Sequence, residues 1–314
     1  MPYLDFTDSK DATPVAIVRG GDQDGDVLYL HSEEKKSPPA VKKAPKAVNF
    51  MKELKHIKAS DRVKAMKEMA DAVKEGKEDV EGDEDTKKAY KRMKGDTERD
   101  TSIELPDDSI FAPIPDIDPK KRQVWYVAGQ SGSGKSYFAR GIAEHYKKLF
   151  PDREIYLISK LEYDDTLDKM KIGKPKRLSI QSLVDDYPSI DEFKDCLLIF
   201  DDWDTLEKNE FKAVHKLIED LAIQGRHTRT SMLILSHYLT NYSKTRLILG
   251  EAQYLVLYPL ATSQKALKYV CEHYGGLDKE DMAGLKKRGR WILIHKNYPS
   301  YVISAHEANM LHQK

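Results

Sequence analysis

The sequence predicts an α/β fold with a mostly parallel sheet, and three observations carry this prediction. Short apolar runs alternate with longer segments whose apolar residues recur at helical spacing. The run Cys196–Phe200 is apolar throughout, which is typical of a parallel strand covered on both faces. The end of the chain, Trp291–His295 and Tyr301–Ser304, has the pattern of a hairpin. We therefore expect a wound sheet that ends in a C-terminal hairpin.

The elements of the core follow from the same periodicities. The predicted strands are Val124–Ala128, Glu154–Ser159, Cys196–Phe200, Met232–Leu235 and Tyr254–Tyr258. The predicted helices are Lys135–Leu149, Asp204–Ala222, Ser263–His273 and Lys279–Lys287. Asp204, with Glu207 three residues later, fits the N-cap of a capping box at the start of its helix.

Composition divides the chain into three parts. The pattern of residues 1–32 predicts a small β-hairpin, with the apolar runs Val15–Val18 and Val27–Leu30 as its strands. Residues 33–119 predict a charged linker with short helices, partly disordered, that ends in a proline-rich extended arm. Within it, Ser60–Glu75 fits an amphipathic helix, as part of a solvated tether or as a partner-docking segment. Residues 120–314 form the predicted catalytic domain.

The charge balance gives no general preference for nucleic acid. Lys+Arg and Asp+Glu both number 52, so DNA binding would need a local basic patch. The best candidate is Lys286–Arg290, which is equally consistent with a charged loop before the hairpin. The sequence has only 2 cysteines and no apolar stretch of membrane-spanning length. We expect a soluble intracellular protein without a membrane span.

The stretch Gly129–Ser136 fits the phosphate-binding pattern G-x-x-x-x-G-K-[ST] at every fixed position. A predicted strand precedes it and a predicted helix follows it, which is the context that this loop needs. Lys135 is expected to reach the β- and γ-phosphates of ATP, and Ser136 to hold Mg²⁺. The predicted nucleotide-binding residues are Gly129, Gln130, Ser131, Gly132, Ser133, Gly134, Lys135, Ser136 and Tyr137.

Acidic and polar residues follow two further strands. Asp201 comes directly after Cys196–Phe200, where it would hold Mg²⁺ together with Ser136. Asp202 is the candidate for polarising the attacking water, although its side chain is a methylene shorter than the Glu of many ATPases. Ser236 and His237 follow the fourth strand and are candidates for sensing the γ-phosphate or for a plain loop role.

Phosphoryl transfer also needs a cation against the developing charge. Arg226, Arg229 and Arg246 are the candidates, and each is equally compatible with a surface salt bridge. Whether such an arginine acts within its own subunit or on a neighbour stays open.

The order of these motifs resembles the genome-packaging ATPases of large double-stranded DNA viruses, the poxvirus-type branch of the FtsK/HerA superfamily. The resemblance covers about residues 120 to 305. The residues that carry it are Gly129–Ser136, Leu198–Asp202, Gly225–His227, Met232–Leu235 and Thr245–Arg246.

This resemblance implies a RecA-like (ASCE) core, ATP with Mg²⁺, a homo-oligomeric ring and translocation of double-stranded DNA into a capsid. It also implies an arginine finger, for which Arg226 and Arg246 are the candidates, acting across a subunit boundary. The chain departs from the pattern at Ser236-His237, where the family often has Gln, and at Asp202, where Glu is common.

The leading hypothesis is therefore an ATP-driven DNA motor with Lys135, Asp202, His237, Arg226 and Arg246 as catalytic residues. It implies a capsid or portal partner and a place in the host cytoplasm or the virion. A nucleotide or small-molecule kinase and an ATP-gated assembly adaptor with poor turnover are the alternatives.

Overall fold

The computed structural model describes residues 2–32, 102–278, 281–282, 285 and 289–311, and isolated positions between residues 67 and 90. Pro2–Ser32 and Ile103–Lys314 belong to one compact unit, and Glu33–Ser102 to another. The predicted helices Ser60–Glu75 and Lys279–Lys287 fall largely outside the described residues and stay predictions.

The elements of the larger unit are given in chain order. The strands are β1 (Tyr3–Asp5), β2 (Ala12–Arg19), β3 (Val27–His31), β4 (Ile103–Glu104), β5 (Ile110–Pro113), β6 (Val124–Ala128), β7 (Ile155–Ser159), β8 (Lys176–Arg177), β9 (Leu197–Asp201), β10 (Ser231–Ser236), β11 (Tyr254–Leu257), β12 (Ile292–His295), β13 (Tyr301–Ser304) and β14 (Glu307–Met310). The α-helices are α1 (Lys135–Leu149), α2 (Ile180–Asp185), α3 (Lys208–Thr228), α4 (Tyr242–Glu251) and α5 (Gln264–His273).

The main sheet has ten strands in the order β4-β14-β13-β12-β11-β6-β10-β9-β7-β8. From β8 to β11 every neighbouring pair is parallel. From β11 to β4 every pair is antiparallel, because the chain returns through hairpins there. The predicted α/β class with a mostly parallel core and the C-terminal hairpin, β12 with β13, are thus confirmed.

Helices and a second sheet cover the two faces of the main sheet. Along β6, Tyr126 belongs to the core that includes α3, α4 and α5, whereas Trp125 and Val127 belong to the core of α1. This alternation follows from the two-residue period of a strand. Every residue of β6 is buried, which explains its continuously apolar sequence.

The second sheet has the order β1-β3-β2-β5 and packs on the α1 side. The predicted N-terminal hairpin is its β2–β3 pair. The segment Ile110–Pro113, predicted only as part of an extended arm, forms strand β5 against β2. Proline is tolerated at such strand ends, so the proline-rich composition concealed the strand.

The predicted helix Asp204–Ala222 is wrong at both ends. Helix α3 begins at Lys208 and continues to Thr228, and Trp203–Thr205 forms a separate 3-10 turn. The helix continues through Gly225 because a single helical glycine costs only about 1 kcal/mol. Helix α4 was not predicted, because its run Leu247–Leu249 has no helical period within so short a stretch.

The structure bears on two expectations from composition, one about membrane spans and one about the cysteines. Among the helices of the described residues, none has the length and apolar character needed to cross a bilayer. Cys196 and Cys271 are free and buried, and burial raises the pKa of each thiol to about 12. Both thiols are therefore core groups of low reactivity.

Leu217 and Ile223 allow a matched test of this core. Leu217 is fully buried on α3, whereas Ile223 on the same helix is 57% exposed. We expect Leu217→Ala to lower the free energy of unfolding by about 2–5 kcal/mol, since it leaves a cavity beneath the sheet. Ile223→Ala is expected to cost much less. Urea unfolding of both variants measures the difference, and equal losses would contradict the packing described for α3.

Candidate functional site

The loops that follow three parallel strands meet at one edge of the sheet. Strand β10 lies between β6 and β9, with Ser236 opposite Ala128 and Ile234 opposite Phe200. The carboxyl ends of parallel strands lie at the same edge of a sheet, where ligands of such folds bind. The loop Gly129–Ser136, the carboxylate of Asp201 and the tip of β10 are therefore neighbours.

Glycines shape the predicted phosphate loop. Gly134 has φ +108° at the N-cap of α1, a left-handed conformation that a side chain rarely adopts. A Cβ on Gly129 would lie 2.7 Å from Ser133 Oγ. That hydroxyl is buried and has no hydrogen-bond partner among the described residues. A phosphate oxygen at the N-terminus of α1 would satisfy such a group.

Lys135 folds back over its own loop. Its ammonium donates to the carbonyls of Gly129 at 2.8 Å and Gln130 at 3.2 Å. Burial lowers the pKa of Lys135, and the carboxylates of Asp201 and Asp202 act in the opposite direction. A phosphate group would offer this ammonium a negatively charged partner in place of neutral carbonyls.

The carboxylate of Asp201 is nearly inaccessible, with the residue 4% exposed. Burial and the neighbouring carboxylates of Asp202 and Asp164 raise the pKa of Asp201 to about 7, while Lys135 opposes the shift. The negative charge at this strand end is therefore only partly compensated by the protein itself. A bound cation would supply the missing compensation.

The donors present at this edge fit Mg²⁺. Ser136 is half-buried in the first turn of α1, and its hydroxyl and the Asp201 carboxylate are oxygen ligands of the kind that Mg²⁺ takes. The described residues contain no group of three or more His, Cys, Asp or Glu that could hold a metal alone. Mg²⁺ usually binds through one or two carboxylates plus substrate phosphates, which requires no such cage.

His237 lies between two carboxylates. Its Nδ1 lies 3.1 Å from Asp204 Oδ1, and its Nε2 lies 3.7 Å from Asp202 Oδ1. Because a carboxylate only accepts, the Nδ1 contact assigns a proton to Nδ1, and in the neutral form of the imidazole Nε2 then carries a lone pair. A water between Nε2 and Asp202 would find two acceptors. Asp202 has φ +52° at the start of the 3-10 turn, which directs the chain away from β9.

Asp204 is not the helix cap that its spacing to Glu207 predicted. Its side chain is fully buried and accepts hydrogen bonds from Ser236 Oγ at 2.8 Å and His237 N at 2.7 Å. Glu207 is the N-cap residue of α3 and makes no side-chain cap bond. The carboxylate turns inward because the tip of β10 offers several donors to one buried acceptor. Asp204 therefore fixes the two residues that were predicted as sensors.

The predicted arginines lie in two different places. Arg226 is in the last turn of α3 and Arg229 directly follows that helix, which precedes β10, so both lie at the amino edge of the sheet, away from the phosphate loop. Arg229 makes a bidentate ion pair with Asp195. Arg246 is exposed on α4, where it donates to the hydroxyl of Tyr242 at 2.6 Å. The topology thus keeps Arg226 and Arg229 from the site of their own chain, and the hydrogen bond of Arg246 is made within α4.

Arg290 reaches the loop, and sequence reasoning did not assign it there. Its Nε donates to Ser133 O at 2.8 Å and its Nη2 to Gly132 O at 3.0 Å. The sequence indicated Arg290 only as part of a basic stretch. No local pattern could have found this contact, since its partners lie more than a hundred residues earlier. Tyr137, which the sequence also predicts to bind the nucleotide, is 77% exposed.

A curated relative covers most of the chain. The uncharacterized protein V3 of Sputnik virophage is 34% identical over 229 residues, which is 72% of this chain and 90% of the relative. No family model matches the sequence.

Solved structures with a similar fold come from viral genome packaging and from conjugation. The genome packaging NTPase B204 of Sulfolobus turreted icosahedral virus 2 with ATP-gammaS matches 60% of this chain and 97% of its own, at 15% identity and a TM-score of 0.38. The pCW3 conjugation coupling protein TcpA matches 93% of this chain and 77% of its own, at 13% identity and a TM-score of 0.39. At these identities and TM-scores, neither structure carries an activity or a partner over to this chain.

Replacing Asp204 tests its position against the capping-box interpretation. Asp204→Ala leaves the donors of Ser236 and His237 without their buried acceptor, so we expect a loss of about 1–3 kcal/mol in the free energy of unfolding. Glu207→Ala removes an exposed side chain and is expected to stay within about 0.5 kcal/mol. Chemical denaturation compares the two. A large loss for Glu207→Ala with a small one for Asp204→Ala would restore the capping box.

Proposed function

We propose that this chain, which belongs to the family of the Sputnik virophage protein V3, is an ATP-hydrolysing motor that moves double-stranded DNA during viral genome packaging. One observation carries the proposal: β10 brings a glycine-rich phosphate loop, a buried carboxylate and a paired His237 to one edge of a parallel sheet. These are the parts that phosphoryl transfer from ATP to water requires.

Binding of ATP would begin at the loop Gly129–Ser136. Backbone N–H groups and the N-terminus of α1 attract the phosphates. Lys135 exchanges the carbonyls of Gly129 and Gln130 for phosphate oxygens, which removes a buried ammonium from neutral partners. Ser136 and Asp201 would hold Mg²⁺, which neutralises charge on the β- and γ-phosphates.

Hydrolysis needs a water in line with the bond to be broken. In our proposal Asp202 and His237 Nε2 accept hydrogen bonds from that water, while Asp204 holds the imidazole by Nδ1. The water oxygen bonds to the γ-phosphorus, the bond from phosphorus to the β–γ bridging oxygen breaks, and ADP leaves with that electron pair. The proton of the water passes to Asp202, to His237 or to the phosphate released.

The DNA motor itself rests on the motif order and on its resemblance to packaging ATPases. Arg226, at the amino edge, cannot complete the site of its own chain, and Arg246 is exposed on α4. In a ring, one of the two would act as an arginine finger on the ATP of the neighbouring subunit. Of the basic stretch, Lys286–Arg288 lie outside the described residues, so DNA contact there stays a prediction. A capsid or portal partner belongs to the same proposal.

Lys135→Ala tests nucleotide binding. Loss of charged hydrogen bonds to phosphate is expected to weaken binding of ATPγS in the presence of Mg²⁺ by about 10- to 100-fold. Lys148→Ala, an exposed lysine of the same helix, serves as the matched control and is expected to bind as the unmodified protein does. Calorimetric titration measures both. Unchanged affinity for Lys135→Ala would remove the phosphate loop from the proposal.

The motor is tested by ATPase rate with and without double-stranded DNA, alongside the mass of the assembly in ATP. We expect DNA to stimulate turnover and ATP to favour a ring. Asp201→Asn should abolish the stimulated rate because the Mg²⁺ ligand is lost. Transfer of labelled phosphate to a nucleotide or small molecule would instead indicate a kinase. Tight binding with background turnover on DNA would indicate an ATP-gated adaptor.

A further inference from the structure

The side chain of Arg290 is bound to the phosphate loop through two backbone carbonyls. The guanidinium donates from Nε to Ser133 O at 2.8 Å and from Nη2 to Gly132 O at 3.0 Å. It also lies against Gly134, where an added Cβ would be 3.5 Å from Nη2. The planar fork of arginine suits two adjacent acceptors, which a lysine ammonium would not orient in the same way.

The residues that follow Arg290 connect it to the main sheet and to α1. Gly289, just before it, has φ +107°, a left-handed conformation that favours glycine. Trp291 packs edge-on against Phe138 of α1 with ring centroids 5.4 Å apart. Strand β12 begins at the next residue, Ile292. The guanidinium is therefore delivered to the phosphate loop by the main sheet and by α1.

Binding a carbonyl sets the direction of the N–H group in the same peptide. A trans peptide is planar, so its C=O and N–H point in opposite directions. The carbonyl of Ser133 shares its peptide with the N–H of Gly134, which Arg290 therefore directs away from itself. The carbonyl of Gly132 shares its peptide with the N–H of Ser133, which donates to Gln130 O at 3.2 Å and closes the turn.

Two cations thus bind the backbone of the loop. Lys135 binds the carbonyls of Gly129 and Gln130, and Arg290 binds those of Gly132 and Ser133. Lys135 is expected to leave its carbonyls when phosphate arrives. Arg290 binds two carbonyls whose peptides carry the Gly134 N–H, which would face a phosphate, and the Ser133 N–H, which closes the turn onto Gln130 O. Both peptides must keep their orientation when phosphate binds, so Arg290 has no reason to leave.

We propose that Arg290 is a positioning residue of the phosphate loop, which presets the loop backbone, with the Gly134 N–H free for phosphate, from within the same chain. The inference rests on the proposed function, since it concerns how that site receives a nucleotide. A preset loop backbone acts on the β-phosphate as well as on the γ-phosphate. Loss of Arg290 should therefore weaken ADP and ATP alike and leave turnover at saturating ATP nearly unchanged.

The experiment titrates Mg²⁺ with ADP and with ATPγS into the full chain and into Arg290→Ala, Arg290→Lys and Arg19→Ala. Arg19 is an exposed arginine at the end of β2 and serves as the matched control. We expect Arg290→Ala to weaken both nucleotides by about tenfold, equivalent to about 1.4 kcal/mol. Arg290→Lys should recover part of the loss. Steady-state kinetics should show the change in KM, with kcat within about twofold.

Amide hydrogen exchange without nucleotide gives a second readout. Peptides that cover the phosphate loop should exchange faster in Arg290→Ala, while peptides of the buried strand β10 should be unchanged.

Other outcomes would overturn the inference in distinguishable ways. If Arg290→Ala weakens ATPγS alone and lowers kcat, the arginine acts on the γ-phosphate and is not a positioning residue. If neither affinity nor exchange changes, the contact has no role in binding. If the unmodified chain binds no nucleotide, the proposed function fails first, and this inference falls with it.

Discussion

The register of β10 between β6 and β9 is the constraint on which the candidate site depends. Backbone hydrogen bonds place Ser236 beside Ala128, and they place Ile234 beside Phe200. A shift by one residue would reverse every side chain of β10, and its fully buried sequence allows no such shift without disrupting the packing on both faces. The phosphate loop, Asp201 and the β10 tip are thus aligned by main-chain geometry.

Charge then determines what this edge can bind. Burial, together with the carboxylates of Asp202 and Asp164, raises the pKa of Asp201, whereas the ammonium of Lys135 is turned onto neutral carbonyls. Neither Asp201 nor Lys135 is therefore fully compensated within the protein. A nucleotide with Mg²⁺ carries both signs in the arrangement that would satisfy them, with phosphate toward Lys135 and metal toward Asp201.

Elements with a strong local signal could be predicted from the sequence, and contacts across the chain could not. The loop Gly129–Ser136 has fixed spacing, and the run Cys196–Phe200, which covers most of β9, is apolar throughout, so both could be identified. Asp204 was misassigned because a capping box is a local pattern, while its real partners are donated by β10. Arg290 could be seen only as a basic residue, since its role is set by the return of the chain through β12.

Asp204 and Arg290 have one property in common. Each binds main-chain groups of a functional segment from a distant part of the sequence: Asp204 accepts from His237 N, and Arg290 donates to Ser133 O. Main-chain groups at loop tips have no neighbouring strand to form hydrogen bonds with, so side chains supply these hydrogen bonds instead. Side chains from the scaffold hold functional loop residues in place in this way. These supporting side chains have no sequence pattern close to the motif that they support.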